Sequence, residues 1–160
     1  MAQDPEFDTE AWRDLRDARL REWVGDEGAV EFIRIFGDIC EVFDDLWDQD
    51  KPVTKADLER TLFNVLVHLP LNPFFSQFRH ALCPIIVTGI NAWLDANELE
   101  KGDRNDRVFA YVMRDWYMEL VSFVVFLTRG QEFMREISPE ARRFFTHQET
   151  LEQYLEGLKP

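Results

Sequence analysis

Apolar positions recur at three- and four-residue steps along most of this chain and nowhere alternate with period two, so the pattern predicts helices and no strands. The most apolar stretch is Arg107 to Thr128, where 16 of 22 residues are apolar and fall on nearly every side of a helical wheel. A helix hydrophobic almost all round belongs inside a bundle or a membrane. Its longest run without a charge, Leu120 to Thr128, is far short of the roughly 20 residues that a bilayer requires. The stretch therefore reads as the buried central helix (about 107–128) of a compact all-α bundle of six to seven helices.

The other helices follow from their stripes and their punctuation. Asp8 is the expected N-cap of a first helix that ends near Val24, before Gly25. Trp12, Leu15, Ala18 and Trp23 form its narrow apolar stripe, and Asp17 and Arg21 are an expected i,i+4 pair. Glu27 to about Asp48 has the cleanest period: Ala29, Phe32, Ile33, Phe36, Ile39, Cys40, Phe43, Leu46 and Trp47, widened by Ile35 and Val42. Thr54 with Asp57 makes a capping box for a third helix, with Leu58, Leu62, Val65, Leu66 and Leu69 as its buried stripe and Pro70 as its end. Asn72 then caps a fourth helix that starts at Pro73 and reaches about Glu98, with a kink expected at Pro84. Phe74, Phe75, Phe78, Leu82, Ile85, Ile86, Ile90 and Trp93 are its core residues.

Glu100 to Asp106 is polar enough to predict an exposed loop before the central helix. Gly130 suits that helix's C-terminus. Shorter pieces follow: a turn or two over Gln131 to Ile137, a restart at Ser138-Pro139-Glu140 through His147, and a capping box of Thr146 and Glu149 ahead of Leu151, Tyr154 and Leu155.

Composition adds to this in three places. A chain of 160 residues that is 46% hydrophobic, with 14 Phe and 5 Trp, can bury a core, and residues 8–160 read as one helical domain. Met1 to Phe7 reads as a vector-derived leader, because Asp-Pro-Glu-Phe is what adjacent cloning sites often encode. Cys40 and Cys83 match neither a disulfide framework nor a zinc pattern, and no signal-peptide apolar segment is visible. A reducing, cytoplasmic setting is therefore expected.

Charge changes the picture most. The net charge of −13 and the pI near 4.6 oppose a grip on nucleic-acid phosphates and favour the approach of a basic partner surface. Between Asp26 and Glu59 there are eleven carboxylates and three basic residues, a net of 3 − 11 = −8. Asp38, Glu41, Asp45 and Asp48 share one face of the second helix, with Asp44 beside it. Asp115 and Glu119 lie one turn apart on the polar stripe of the central helix, continued by Ser122. Arg114, Arg107 and Arg79 are the candidates to neutralise them.

Facing carboxylates on helices can hold magnesium or manganese. Asp38-x-x-Glu41 loosely resembles the Glu-x-x-Glu pairs of all-α nucleotide pyrophosphatases, although Asp115 and Glu119 have a different spacing and no family is identified from it. His68, His80 and His147 have no metal-binding spacing. Ser76, His80, Thr88, Asn91 and Asp95 form a polar line on the fourth helix that reads as its solvent face. No phosphate loop, nucleophile elbow or Cys-x-x-Cys is present.

The expectation is a non-enzymatic protein-protein interaction module without a cofactor: an adaptor, assembly chaperone or inhibitor, including phage-encoded kinds. It would dock on another protein with a basic or amphipathic surface through Asp38, Glu41, Asp44, Asp45 and Asp48, anchored by Trp12, Trp23 or Phe144. The alternatives are a metal-dependent hydrolase using Asp38, Glu41, Asp45, Asp115 and Glu119, and, below it, an acidic mimic of DNA.

Overall fold

The computed structural model describes residues 9–49, 51–145 and 150–158. The expected leader, the Asp8 cap and the Thr146–Glu149 box lie outside the described residues. Every element among the described residues is helical, as the pattern predicts: α1 (Thr9–Val24), α2 (Glu27–Asp48), α3 (Lys55–Phe63), a π-helical turn (Asn64–His68), α4 (Leu69–Leu71), α5 (Pro73–Leu99), α6 (Arg104–Met113), a 3-10 turn (Arg114–Trp116), α7 (Tyr117–Phe145) and α8 (Leu151–Gly157). None of the described helices is long and apolar enough to cross a membrane. The chain forms two compact units, Met1–Gln77 and Phe78–Pro160, and the boundary falls inside α5 rather than in a linker.

The first unit is organised by α2. Asp26 caps it, accepting from the Ala29 N–H at 2.7 Å, and left-handed Gln49 ends it. Phe32 is fully buried and packs its ring against Phe36, Phe74 and Phe75, with centroids 5.6–6.0 Å apart. Asn72 fixes where α5 starts. Its Oδ1 accepts from the Phe75 N–H at 2.8 Å, and its amide donates to the Gly28 carbonyl at 2.9 Å, so one buried side chain ties the start of α5 to the first turn of α2. The expected Asp17–Arg21 pair does not form. Asp17 turns to Arg34 of α2 at 3.2 Å, and Arg21 pairs with Glu27 at 3.3 Å, because a neighbouring helix offers partners that a single-helix wheel does not contain.

The third helix does not stop at Pro70. The Leu69 N–H donates to the Asn64 carbonyl, an i→i+5 bond that widens the helix before the proline. A proline ring clashes with the carbonyl four residues back in a regular α-helix. The π turn removes that register, and helix persists to Leu71. Pro84 likewise lies within α5 without ending it.

In the second unit, the expected single helix over 107–128 is two. Asp115 (φ −83, ψ 15) breaks it in the 3-10 turn, so α6 and α7 are separate elements. The later half is the deeply buried one, through Met118, Leu120, Val121, Val124 and Val125, whereas α6 buries Ala110 and leaves Phe109 and Val112 exposed. The polar segment before α6 is only partly loop. Asp103 caps α6, accepting from the Asn105 and Asp106 N–H groups, and Asp106 returns the bond, completing a capping box.

Past Gly130 (φ 85, ψ 174), 131–145 is one helix containing Pro139, not a series of short pieces. Arg142 bonds Glu119 at 2.8 Å although they are 23 residues apart. A straight helix would hold them about 34 Å apart, so α7 folds back on itself at Gly130 as a helical hairpin. Thr150, with Gln153, caps α8.

Candidate docking surface

The apolar face of α2 is buried from Ala29 to Val42 and then emerges. Phe43 and Trp47 are each 57% exposed and Leu46 is 45% exposed, although their helical register continues that of Phe32, Phe36 and Ile39. On the same two turns stand Glu41 and Asp48, both exposed, and the half-buried Asp44 and Asp45. Asp38, one turn earlier, is half-buried. The five expected carboxylates are thus carried together on the last part of α2, next to three large apolar side chains that stay about half exposed.

The segment that follows is the largest departure from the sequence reading. Of the expected buried stripe Leu58, Leu62, Val65, Leu66 and Leu69, the first four are 41–64% exposed and Leu69 is half-buried, and α3 has no buried residue. Phe63, Val67 and Leu71 are exposed with them. The buried residue of the π turn is Asn64, so the segment packs on α2 with a polar position inward and its leucines outward. Periodicity locates a stripe. It does not say whether this chain or another molecule covers it.

α3 itself is well specified. Thr54 Oγ1 accepts from the Asp57 N–H at 3.2 Å and Asp57 returns the bond to the Thr54 N–H at 2.9 Å. The Thr54 hydroxyl, the Thr54 backbone and Arg60 hold the Asp57 carboxyl at about 2. An open hollow of about 470 Å³ adjoins the end of α2, lined by Asp45, Leu46, Gln49, Lys51, Pro52 and Val53, with Lys51 paired to Asp45 at 3.6 Å.

The expected anchors are not the exposed aromatics. Trp23 is 2% exposed, with the Arg19 guanidinium 5.8 Å from its ring, and Trp12 and Phe144 are half-buried. The exposed aromatics among the described residues are Phe43, Trp47 and Phe63 and, in the second unit, Phe109 and Phe126. For Phe63 a signal was available in the density of apolar residues over 58–67, which exceeds what one narrow buried stripe needs, whereas Phe43 and Trp47 only continue the period of Phe32 and Phe36.

Asp115 and Glu119 belong to the second unit and differ from one another. Glu119 is exposed and pairs with Arg142, not with Arg114, Arg107 or Arg79. Burial lifts the Asp115 carboxyl to about 6 against the opposing field of Arg142. Arg114 is engaged elsewhere, with Glu100 at 2.6 Å and Asn97 at 2.9 Å, and Arg107 donates to the Glu100 carbonyl. Among the described residues, no three His, Cys, Asp or Glu side chains are grouped as a metal site requires. The line Ser76, His80, Thr88, Asn91 and Asp95 is exposed throughout, with Thr88 bonded back to the Pro84 and Ile85 carbonyls and Asn91 to Asp95. No protein-family model, no curated protein and no solved structure matches the chain.

Proposed function

We propose that this chain is a small acidic helical docking module, of adaptor, assembly-chaperone or inhibitor type, that binds another protein through the end of α2 together with α3 and its π turn. The observation that carries the reading is α3 with its π turn: a capped helix that buries no residue and exposes Leu58 and Leu62, continued by exposed Leu66 in the turn. Contiguous apolar surface rimmed by polar groups marks an interaction site on a folded protein. Covering the remaining half of an exposed Leu or Phe is worth roughly 1 kcal/mol. Six or seven such side chains supply on the order of the association cost of a specific complex, and the acids around them add attraction at long range.

A photo-crosslinking residue at position 62, compared with one at exposed position 132 on the other unit, tests this in the source cell. The expected result is a discrete adduct from position 62 alone, retained when unbound protein is washed away. Adducts of equal yield from both positions, or none from position 62 at either low or high salt, would remove the proposal.

A further inference from the structure

Resting on that docking reading, we infer that the occupant of the α2–α3 surface is a cationic amphipathic helix. Two features of the surface define its chemistry. The first is spacing. Phe43 and Trp47 on α2, and Leu58, Leu62 and Leu66 along α3 and the π turn, recur at four-residue steps. Side chains at that spacing form the ridges between which another helix's side chains settle. The backbone here is spent within helices, and no strand edge occurs among the described residues, so a partner gains nothing by bringing an extended segment to be paired. A helix arrives with its own backbone bonds made.

The second feature is charge. From Ile35 to Gln49 there are five carboxylates and no lysine or arginine, and four of the five flank Phe43, Leu46 and Trp47 on the same two turns, one of them, Asp45, paired with Lys51 at 3.6 Å. An apolar anchor reaching those three side chains therefore passes between acids, and lysine or arginine one position to either side of it meets them. A second copy of this chain fits poorly. It would bring the same acidic turns face to face, in a pair carrying 2 × −13 = −26 charges.

The test uses the full chain and three synthetic helical peptides: an amphipathic leucine–lysine sequence, a scramble of identical composition, and the same pattern with glutamate for lysine. Binding is followed by anisotropy of a labelled peptide, and sedimentation of the protein alone reports its oligomeric state. The amphipathic lysine peptide is expected to bind at least tenfold more tightly than either control, and to weaken as salt rises. Leu62→Asp is expected to weaken it about tenfold. Asp44→Asn/Asp45→Asn/Asp48→Asn, whose helical content is checked by circular dichroism, is expected to do the same.

Equal binding of the scramble, equal binding of the glutamate peptide, or indifference to both variants overturns the inference. So does a dimer that Leu62→Asp disperses and the peptide does not. If position 62 captures a partner in the cell but no peptide binds, the helical, cationic occupant is wrong and the docking surface stands. Peptide binding without capture leaves the occupant chemistry supported and removes the docking reading.

Discussion

Arg114 and Glu100 meet at 2.6 Å with most of both side chains out of water, and the same Glu100 oxygen accepts the Tyr154 hydroxyl at 2.5 Å. The Arg114 guanidinium also donates to Asn97 near the end of α5, so the turn after α5, the 3-10 turn and α8 are joined through the Glu100 carboxylate. Burial first, and then Glu100, raise the Tyr154 hydroxyl above the usual phenol range. Removing one partner strands the other's charge in a poorly hydrated place, which costs more than the bond contributed. Arg114→Met is expected to lower stability by about 2 kcal/mol and Tyr154→Phe by about 1 kcal/mol, read from urea unfolding. A neutral Arg114→Met would show that the cluster is solvated.

Asp115 gives the chain a pH dependence of known sign. Its carboxyl titrates near 6 in the folded chain and near 3.8 without the fold, chiefly because burial disfavours the charge. Between those values the native state holds more protons than the unfolded one, so this group's contribution to stability falls as pH rises from about 4 to about 6 and stays low above that. Asp115→Asn is expected to exceed the parent by about 1 kcal/mol at pH 8, after allowing for solvent screening. The advantage should vanish at pH 4. An Asp115→Asn variant that instead falls below the parent as pH rises would mean that Arg142, not burial, governs this site, and an equal difference at both pH values would mean that the fold does not shift the carboxyl.

The two thiols should separate cleanly. Burial, helped by the negative charge of Asp44, pushes Cys40 up to about 12, whereas Cys83 is exposed on α5. Thiolate is the reactive form. At pH 8 a thiol reagent should modify one group per native chain rapidly, and Cys83→Ser should abolish that phase. Rapid modification surviving in Cys83→Ser would show that Cys40 is reached from solvent.

Gly89 lies buried on α5 with the six-membered ring of Trp116 laid against it, so that an added Cβ would overlap the ring. Alanine ordinarily stabilises a helix interior by about 1 kcal/mol relative to glycine, so the sign of the outcome is informative. Gly89→Ala is expected to cost about 2 kcal/mol by overpacking. Gly157→Ala, where nothing lies within 4 Å of the new atom, should cost nothing. Thermal unfolding of the two variants provides the comparison.

What the sequence determined by itself is local: the all-α class, the span of α2, the Thr54–Asp57 box and the Asn72–Pro73 start. Each depends on bonds within a turn or on a periodicity carried by neighbouring residues. The Asp103–Asp106 box was equally legible and lay inside what reads as a loop. The acidic turns of α2 were legible too, because charge is a property of composition.

Tertiary structure decided which apolar side chains are covered, and by what. Trp23 is buried while Phe43 and Leu62 are exposed, although all three lie on helical stripes, because burial depends on which other segments come to rest there. It also decided ion-pair partners, since Asp17 finds Arg34 and Glu119 finds Arg142 only after helices fold against one another. The break at Asp115 and the reversal at Gly130 belong to the same class: a change in one residue's dihedral angles leaves the hydrophobic period intact while redirecting everything after it.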